Sequence, residues 1–546
     1  MTKKSTIPDS IKRRRLLQGL GATGIAALAG CSGSQDNSGN GGNNAGSGEN
    51  SSGGGNGSGK LNFAQVKSPL EFDPIVLNDV PSAQVSDRVF EGLYTYNSGI
   101  QVVPKMATGK PTVKNNGKTY IVEFQKGIKF QNGDPLTPED IAYSFTAPVK
   151  EETENAATFS MIDSVSKMGK RKVKFDLKYP YGPFMNVLTS SVVPKKVREK
   201  DKKKFNKKHP VGSGPFKFDS WQEGNYAKIS RWDGYWGKPE PNLAEVRFKP
   251  VEEPTTRLTS LQTGENDVIE EIPPKLWQQV QNMDGTSIES VIGMGYFYLA
   301  FNCKNGPTTD PKVREAIDYC FDMDQAISNF VEPTGVRQYS PFPKQISKKW
   351  GFPLEKWKKI PHDKNIDKAK QMLKSSDKVP DNWNANIIVP PDDKRQQLGV
   401  TVANGLKEAG YNAKVQRLDW GAFLDKYVSG KPSDYNMYTL GWSGTPDPDA
   451  FTYYFYTKEA HGTTDGTFYS DIDEQIVKAR KSADHAKRKK LYTDAITKML
   501  NDRAHLPAYN LKNSFGVKND VKGFKPHPVS SFVLSTDYTN ATMGSQ

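Results

Sequence analysis

Residues 386–418, with the sequence NIIVPPDDKRQQLGVTVANGLKEAGYNAKVQRL, contain the pattern that decides the fold class. An apolar strand at 386–389 is followed by a helix over about 394–408, which Gly410 ends, and by a second strand at 413–418. A strand, a helix and a strand of this length predict two parallel strands joined by a right-handed crossover. We therefore expect an α/β protein.

Further elements of both types surround this unit. Residues 119–124 and 171–177 alternate polar with apolar side chains, as half-buried strands do. Between them, TPED at 137–140 is typical of a helix start, with Thr as N-cap, Pro at the first position and Asp at the third. Asp484 is the expected N-cap of a long helix, and residues 509–517 return to strand character.

The composition restricts the class of protein. The 546 residues are enough for two or three domains, and 35% of them are hydrophobic. A mean hydropathy of −0.68 excludes a polytopic membrane protein. Three cysteines exclude a disulfide scaffold, and the six isolated histidines predict no metal site. Because the chain contains neither a phosphate-binding loop nor a nucleophile elbow, we expect no cofactor and no catalytic site.

The N-terminus has the pattern of an export signal. Residues 1–31 contain six basic side chains and one acidic side chain, and an apolar run occupies 16–30. RRRLL at 13–17 resembles a twin-arginine signal, and LAGC at 28–31 resembles a lipobox, in which the cysteine is lipidated. We expect a lipoprotein signal over 1–31 with Cys31 as the lipidated residue. An uncleaved N-terminal anchor is the alternative.

Residues 32–59 are predicted to form a flexible tether. They consist almost entirely of Gly, Ser, Asn and a few acidic residues, which cannot bury enough apolar area to offset the entropy of ordering. The typical reach of such a tract is roughly 30 Å. Together with a lipid on Cys31, the tether predicts a protein anchored at the outer face of the cytoplasmic membrane.

The formal charge of +14 raises the possibility of nucleic-acid binding. The positive residues are scattered in short runs, however, such as those at 202–204 and 487–490. The second run lies on a predicted helix whose other face is apolar, so a solvated face explains it. We therefore expect no nucleic-acid partner.

Eight motifs of the body resemble, in order, those of the extracellular solute-binding proteins of peptide-type ABC importers, solute-binding family 5. The most specific is KGIKF at 126–130 followed by NGDPLTPEDI at 132–141. The other motifs are FDP at 72–74, VFEGL at 89–93, GSGPF at 212–216, YWG at 235–237, AFN at 300–302, VREAI at 313–317 and GW at 441–442. The resemblance covers nearly all of residues 60–540.

The resemblance implies a two-lobed clamp of the periplasmic-binding-protein type, type II with an extra accessory domain. The implied segments are lobe I at 60–95, 206–285 and 511–546, the accessory domain at 96–205, and lobe II at 286–510. Such a clamp captures a dipeptide or oligopeptide by cleft closure and delivers it to a membrane permease. The permease and ATPase subunits are separate chains, and the binding protein itself is expected to be a monomer and not an enzyme.

The turn GWSGTPDPD at 441–449 is the sharpest candidate for a ligand contact. Peptide binders of this family place an aspartate three residues after the tryptophan, where it accepts the α-ammonium of the ligand. Here Thr445 takes that position after Trp442, in a loop one residue shorter. Asp447 is the candidate replacement, although an aspartate in a Pro-rich turn also commonly caps the following helix.

The other candidates lie on the predicted strands and helices of lobe II. Arg395, at the start of the helix after the first strand, is the candidate partner of a ligand carboxylate, unless it lies on the surface. Tyr296, Tyr298 and Trp420 are candidate aromatic contacts, with core packing as the alternative for each. Because strand residues alternate in direction, residues 296–298 cannot all face a cleft.

Two other ligand or function classes stay open at this stage. The loss of the family aspartate favours an oligosaccharide or another small solute, for which aromatic and neutral polar partners suffice. Outside the family, an exported lipid-anchored hydrolase and a structural surface protein without a ligand are the alternatives. Cys303 and Cys320 are expected to be buried free thiols, because a twin-arginine substrate folds in the reducing cytoplasm.

Overall fold

The computed structural model describes residues 59–535 and 537–544. The predicted signal at 1–31 with Cys31, and the tether up to residue 58, lie outside the described residues. The first strand begins at Gly59, one residue inside the predicted tether. In the described part of the chain, no helix combines the length and apolar character needed to cross a membrane.

The strands alternate with helices along the chain. The strands are β1 Gly59–Gln65, β2 Tyr94–Tyr96, β3 Val102–Pro104, β4 Thr112–Lys114, β5 Thr119–Glu123, β6 Ile162–Lys167, β7 Lys172–Leu177, β8 Phe216–Gln222, β9 Tyr226–Arg231, β10 Leu243–Pro250, β11 Val268–Glu270, β12 Thr286–Ile292, β13 Gly295–Phe301, β14 Gly335–Arg337, β15 Asn384–Val389, β16 Asn412–Arg417, β17 Met437–Ser443, β18 His505–Lys518, β19 Val521–Lys522 and β20 Thr542–Met543.

The α-helices are α1 Val80–Val89, α2 Pro138–Lys150, α3 Ala156–Phe159, α4 Phe184–Val187, α5 Lys195–Lys200, α6 Lys202–Lys207, α7 Pro254–Gln262, α8 Pro274–Gln281, α9 Pro311–Asp318, α10 Met323–Phe330, α11 Lys344–Trp350, α12 Leu354–Trp357, α13 Ile366–Lys374, α14 Asp393–Glu408, α15 Trp420–Tyr427, α16 Tyr453–Tyr456, α17 Asp473–Arg480 and α18 His485–Asn501. Short 3₁₀ segments occur at Asn115–Gly117, Pro307–Thr309 and Pro448–Phe451.

One mixed sheet of twelve strands runs through the described residues. Its order is β16-β15-β17-β13-β18-β11-β1-β10-β9-β8, and β12 and β14 also pair with β18. Residues 505–511 of β18 pair with β13 and β14, whereas residues 512–518 pair with β12 and β11. We call β1, β8–β12 and residues 512–518 the first half of the sheet, and β13–β17 with residues 505–511 the second half. The continuous strand β18 therefore joins the two halves.

A separate four-stranded antiparallel sheet, in the order β4-β5-β7-β6, lies between β3 and β8 in the sequence. Val122 on β5 and Val173 and Phe175 on β7 are fully or almost fully buried. Phe145 of α2 packs edge-on against Phe175, with ring centroids 5.1 Å apart. The sequence predicted β5 and β7 within one or two residues of their ends.

The predicted strand–helix–strand unit is confirmed. The strands β15 and β16 pair in parallel from Asn384 opposite Asn412 to Val389 opposite Arg417, and α14 connects them. The helix buries an apolar side made by Leu398, Val402 and Leu406. The α/β class follows from this unit together with the mixed sheet.

The predicted helix starts are also present. Thr137 and Asp140 form a reciprocal capping box at the start of α2, in which each side chain accepts from the backbone N–H of the other residue. Asp484 caps α18 by accepting a hydrogen bond from Lys487 N at 3.1 Å. Cys303, which is partly buried, and the buried Cys320 are free thiols, and burial raises their pKa values to about 11 and about 12.

Candidate functional site

A cavity of about 260 Å³ lies between the two halves of the large sheet. From the first half it is lined by residues at the ends of β1 and β11 and on α1, and from the second half by residues of β13, β17 and the start of α14. The side chains used in the argument below are Gln84, Glu270, Phe297, Asp392 and Tyr509. Because both halves contribute to the wall, the cavity depends on how the halves are placed relative to each other.

The strand that joins the halves also forms part of the cavity wall, through residues 509–515 of β18. The Asn510 side chain accepts a hydrogen bond from Gly295 N at 3.1 Å and donates to Gly293 O at 2.9 Å. Further along the strand, Ser514 Oγ accepts from Ile272 N at 3.2 Å. These bonds fix one strand to the loops of both halves at the edge of the cavity.

An aromatic pair forms the wall on the side of the second half. The rings of Phe297 and Tyr509 stack with centroids 4.7 Å apart and planes 5° apart. Gly441 on the neighbouring strand makes room for this pair, because a Cβ there would lie 2.2 Å from Phe297 Cε1. Tyr509 is fully buried, and its hydroxyl has no hydrogen-bond partner among the described residues. The wall thus presents an apolar face with one unused phenol group.

A buried ion pair lies next to this aromatic wall. Asp392 Oδ1 accepts from Arg395 N at 2.9 Å and lies 3.1 Å from Arg395 Nε. Burial alone would raise the pKa of the Asp392 carboxyl, but the charges of Arg395 and Lys394 lower it below its ordinary value. The Arg395 guanidinium lies 5.7 Å from the Phe297 ring centroid. Asp392 is therefore an ionised group whose charge is already compensated.

The first half contributes a carboxyl group of a different kind. Glu270, at the end of β11, is buried, and its Oε1 accepts from Val66 N at 2.8 Å while its Oε2 accepts from Gln84 Nε2 at 2.6 Å. Burial and the charge of Glu271 raise the pKa of Glu270 to about 7, against the effects of Gln84, Val66 and Arg257. In the described residues Glu270 forms no ion pair.

Three lysines from both halves also line the cavity, namely Lys67, Lys394 and Lys512. None of them forms an ion pair with another described residue, although Lys512 Nζ lies 5.5 Å from the Trp277 ring centroid. Unpaired ammonium groups at such a wall are suited to anionic groups of a ligand. The cavity accordingly offers charges of both signs.

Arg257 has a positioning role in this wall. Its guanidinium donates to four backbone carbonyl groups, those of Val251, Glu252, Glu270 and Glu271. Because these carbonyls belong to the segment after β10 and to the end of β11, Arg257 holds these two segments together. Its N–H groups are directed to the backbone and none donates to the Glu270 carboxylate.

The predicted turn at 441–449 reaches the cavity only through Ser443 and Gly444. Thr445 is exposed and does not line the cavity. Asp447 is buried, caps the 3₁₀ segment that follows and pairs with Arg488. Trp442 is buried and donates from Nε1 to Ala450 O at 2.8 Å.

The predicted aromatic candidates have other partners in the structure. Tyr296 and Tyr298 point to the opposite face of β13 and contact His505, whose Nδ1 lies 3.2 Å from Tyr296 Oη. Trp420 is partly buried, with its ring centroid 5.1 Å from Arg395 Cζ, and neither residue lines the cavity directly. Phe297, between the two tyrosines, lines the cavity together with Gly295 of the same strand.

Sequence reasoning missed Glu270 and Tyr509. The only local signal for Glu270 is an acidic residue directly after the apolar pair Val268-Ile269, at the end of a strand. Tyr509 lies in the segment that was predicted as a strand, without any feature that distinguishes it from core aromatics. Across the described residues, no group of three or more His, Cys, Asp or Glu side chains could hold a metal ion.

Comparisons with known proteins agree on one family and one fold. Residues 101–463 match the family model described as bacterial extracellular solute-binding proteins, family 5 Middle. The oligopeptide-binding protein AppA of Bacillus subtilis (strain 168) is 25% identical over 500 residues, which cover 86% of this chain and 89% of AppA.

Solved structures of similar proteins cover nearly the whole described chain. The ABC transporter substrate-binding protein CtaP from Listeria monocytogenes has a TM-score of 0.80 at 20% identity, covering 90% of this chain and 100% of CtaP. AppA in complex with a nonapeptide has a TM-score of 0.71 at 24% identity, covering 89% and 99%. The periplasmic binding protein DppA from Helicobacter pylori, in complex with the peptide STSA, has a TM-score of 0.72 at 22% identity, covering 89% and 98%. These likenesses confirm the predicted two-lobed fold.

Proposed function

The chain belongs to the bacterial extracellular solute-binding proteins of family 5, and from this membership we propose that it captures a short peptide between two lobes and delivers it to an ABC importer. In this proposal, lobe I comprises 60–95, 206–285 and 511–546, and lobe II comprises 286–510, except that β12 at Thr286–Ile292 pairs with residues 512–518 and so goes with lobe I. The accessory domain is residues 96–205. The permease and ATPase subunits are separate chains.

The observation that carries the proposal is the cavity shared by both halves of a sheet that β18 joins. A ligand in such a cavity contacts both walls only when the halves are close together. It therefore binds the closed arrangement more tightly than the open one and shifts the population toward closure. No bond in the ligand needs to change for this to happen.

The charges of the cavity favour a peptide over a neutral sugar. A peptide has an ammonium group and a carboxylate, and the wall offers the carboxyl group of Glu270 and the unpaired Lys67, Lys394 and Lys512. Burying unpaired charges against a neutral ligand would be costly. The names of AppA as an oligopeptide-binding protein and of DppA in complex with STSA support the same ligand class.

The proposal is tested by thermal unfolding of the purified protein with separate sets of di- to pentapeptides, oligosaccharides and metal complexes. A ligand at a hundredfold excess over its Kd stabilises the folded state by about 2.7 kcal/mol. We expect concentration-dependent stabilisation by peptides. Stabilisation by oligosaccharides alone would contradict the peptide assignment, and no stabilisation by any set would contradict the binding function.

A second experiment with the same peptides separates binding from hydrolysis. We propose that the protein releases its ligand unchanged, so peptides recovered after prolonged incubation should have their original masses. A hydrolase would instead produce fragments at a rate proportional to the protein concentration. Analysis of the recovered peptides by mass spectrometry decides between these outcomes.

We further propose that the protein is exported by the twin-arginine route and is anchored by a lipid on Cys31, with residues 32–58 as the tether. This follows from the RRRLL and LAGC segments of the sequence. Cys31→Ser should move the protein from the membrane fraction to the medium or periplasm, whereas the control Cys303→Ser should leave it in the membrane fraction. Replacing Arg13, Arg14 and Arg15 together by lysine should reduce export. Separately, light scattering of the purified protein should give the mass of a monomer.

A further inference from the structure

The strongest partner for the buried α-ammonium group of a peptide is a carboxylate, which supplies both the counter-charge and a hydrogen-bond acceptor. The position three residues after Trp442 holds the exposed Thr445, and Asp447 is engaged by Arg488 away from the cavity. An acceptor for a peptide must therefore come from another part of the wall. The carboxyl groups on the wall are those of Glu252, Glu270, Glu271 and Asp392.

Three of these four groups are poor candidates. Asp392 is compensated by Arg395, which contacts it through both its backbone N and its Nε. Glu252 and Glu271 are exposed, so that water and salt weaken any ion pair that they form with a ligand. Only Glu270 is both buried and without a counter-ion among the described residues.

Glu270 is held in place by neutral donors. Val66 N lies 2.8 Å from Oε1 and Gln84 Nε2 lies 2.6 Å from Oε2. The nearby guanidinium of Arg257 donates to backbone carbonyls, among them Glu270 O at 3.0 Å. A buried carboxylate is costly unless a cation pairs with it, and each of its oxygens retains a lone pair for a further donor.

We propose that Glu270 accepts the α-ammonium of the bound peptide and replaces the aspartate that other peptide binders of this family place after the tryptophan. This assignment rests on the proposed function. The second half of the sheet supplies an independent indication, because the buried Tyr509 hydroxyl on the same cavity wall has no partner among the described residues. A peptide could use both groups, one on each half, and so stabilise the closed arrangement.

The assignment makes affinity depend on pH. The pKa of Glu270 is about 7 in the ligand-free protein, raised by burial and by the charge of Glu271, with Arg257 acting in the opposite direction. Lys67, Glu252, Asp392, Lys394 and Lys512 are the other charged groups on the wall. An ammonium ligand requires the ionised carboxylate, so protons compete with it below pH 7. Between pH 7 and pH 5.5 the peptide amine stays protonated, and its affinity should fall about tenfold.

The test compares a randomised tripeptide library with the same library N-acetylated, each incubated with the whole purified protein. Native mass spectrometry reads the bound masses, and calorimetry gives the affinities. The variant Glu270→Gln is nearly isosteric but removes the charge, and the control Glu223→Gln removes an exposed charge outside the cavity wall. We expect Glu270→Gln to weaken binding of the free-amine library about 10- to 100-fold, as for the loss of a hydrogen bond to a charged group. Binding of the acetylated library should be equally weak in all three proteins.

The outcomes distinguish this assignment from the proposed function. Unchanged free-amine binding in Glu270→Gln, or equal binding of both libraries by the unmodified protein, overturns the role of Glu270 and leaves peptide binding in place. If the unmodified protein binds neither library, both the role of Glu270 and the proposed peptide-binding function are wrong. If Glu270→Gln does not fold, the pH dependence of the unmodified protein decides: constant affinity from pH 7 to pH 5.5 contradicts the assignment.

Discussion

Asp447 and Arg488 form a buried ion pair with two contacts: Arg488 Nη2 donates to Asp447 Oδ1 at 2.6 Å and Nη1 donates to Oδ2 at 3.1 Å. Both side chains are less than a tenth exposed. A second buried pair follows two residues later, where Arg480 Nη1 lies 2.7 Å from Asp449 Oδ2. The two aspartates therefore attach the turn after β17 to the end of α17 and the start of α18.

We predict that Asp447→Asn destabilises the protein strongly. The variant leaves the Arg488 guanidinium buried without a counter-ion, and loss of one partner of a buried pair typically costs about 3–5 kcal/mol. Urea unfolding followed by tryptophan fluorescence should show a lower midpoint. Any peptide affinity that remains in the folded fraction should equal that of the unmodified protein, because Asp447 does not line the cavity.

The matched control is Glu474→Gln, which breaks the exposed pair between Glu474 and Lys478 on α17. That variant should unfold at the same urea concentration as the unmodified protein. If Asp447→Asn instead keeps its stability and loses peptide affinity, the carboxylate serves the ligand and the structural interpretation of the pair is wrong.

The local elements could be predicted because their signals lie within a few residues. The β15–α14–β16 unit and the capping box of Thr137 and Asp140 depend on spacing along the chain alone, and both are present. The pair of Asp447 with Arg488 joins residues 41 positions apart, and the hydrogen bond from Gln84 to Glu270 spans 186 positions. No local pattern predicts such contacts, because they form only when elements that are distant in the sequence pack together.

The direction of Phe297 was not predictable for another reason. All seven residues of β13 are buried, so polar residues do not mark one face of the strand. Strands covered on both faces have nearly continuous apolar sequences. Alternation then shows that the Phe297 side chain points to the opposite face of β13 from those of Tyr296 and Tyr298. It does not show which of the two faces borders the cleft.

Tyr509→Phe is predicted to affect ligand binding and not folding. Its hydroxyl is buried without a partner among the described residues, so its removal should leave the free energy of unfolding unchanged or slightly higher. If the ligand supplies the missing partner, peptide affinity should fall about 2- to 10-fold. Calorimetry with a binding tripeptide and urea unfolding measure the two quantities.

Tyr296→Phe serves as the control because it removes a buried hydroxyl outside the cavity, near His505 Nδ1. Unlike Tyr509→Phe, it should lower the free energy of unfolding by about 1 kcal/mol and leave the peptide affinity unchanged. Equal affinities in Tyr509→Phe and the unmodified protein would show that the ligand does not use the phenol group of Tyr509.

Gly441→Ala is predicted to change the cavity wall without adding a ligand contact. The new methyl group would lie 2.2 Å from Phe297 Cε1, so the ring must turn or shift and its stacking on Tyr509 is disturbed. We expect a loss of about 1–3 kcal/mol of stability together with weaker peptide binding. Gly109→Ala, where a Cβ meets no atom within 4 Å, should change neither property.

Finally, Glu270→Gln is predicted to stabilise the ligand-free protein at high pH. Because the pKa of Glu270 in the folded protein is about 7, above its ordinary value of 4.5, the folded state favours the protonated form. The stabilisation that protonated Glu270 gives the folded state is fully present below about pH 4.5. It is lost as the pH rises through 7, and the free energy of unfolding falls by about 3 kcal/mol in total. The glutamine does not titrate, but its NH2 group faces one of the two N–H donors that Glu270 accepts from. The variant should therefore exceed the unmodified protein in urea midpoint at pH 8 by less than the full ionisation cost, with the difference shrinking toward pH 5. The exposed Glu223→Gln, outside the cavity wall, should show no such trend, and a difference that is constant from pH 5 to pH 8 would mean that Glu270 is not an unpaired buried acid.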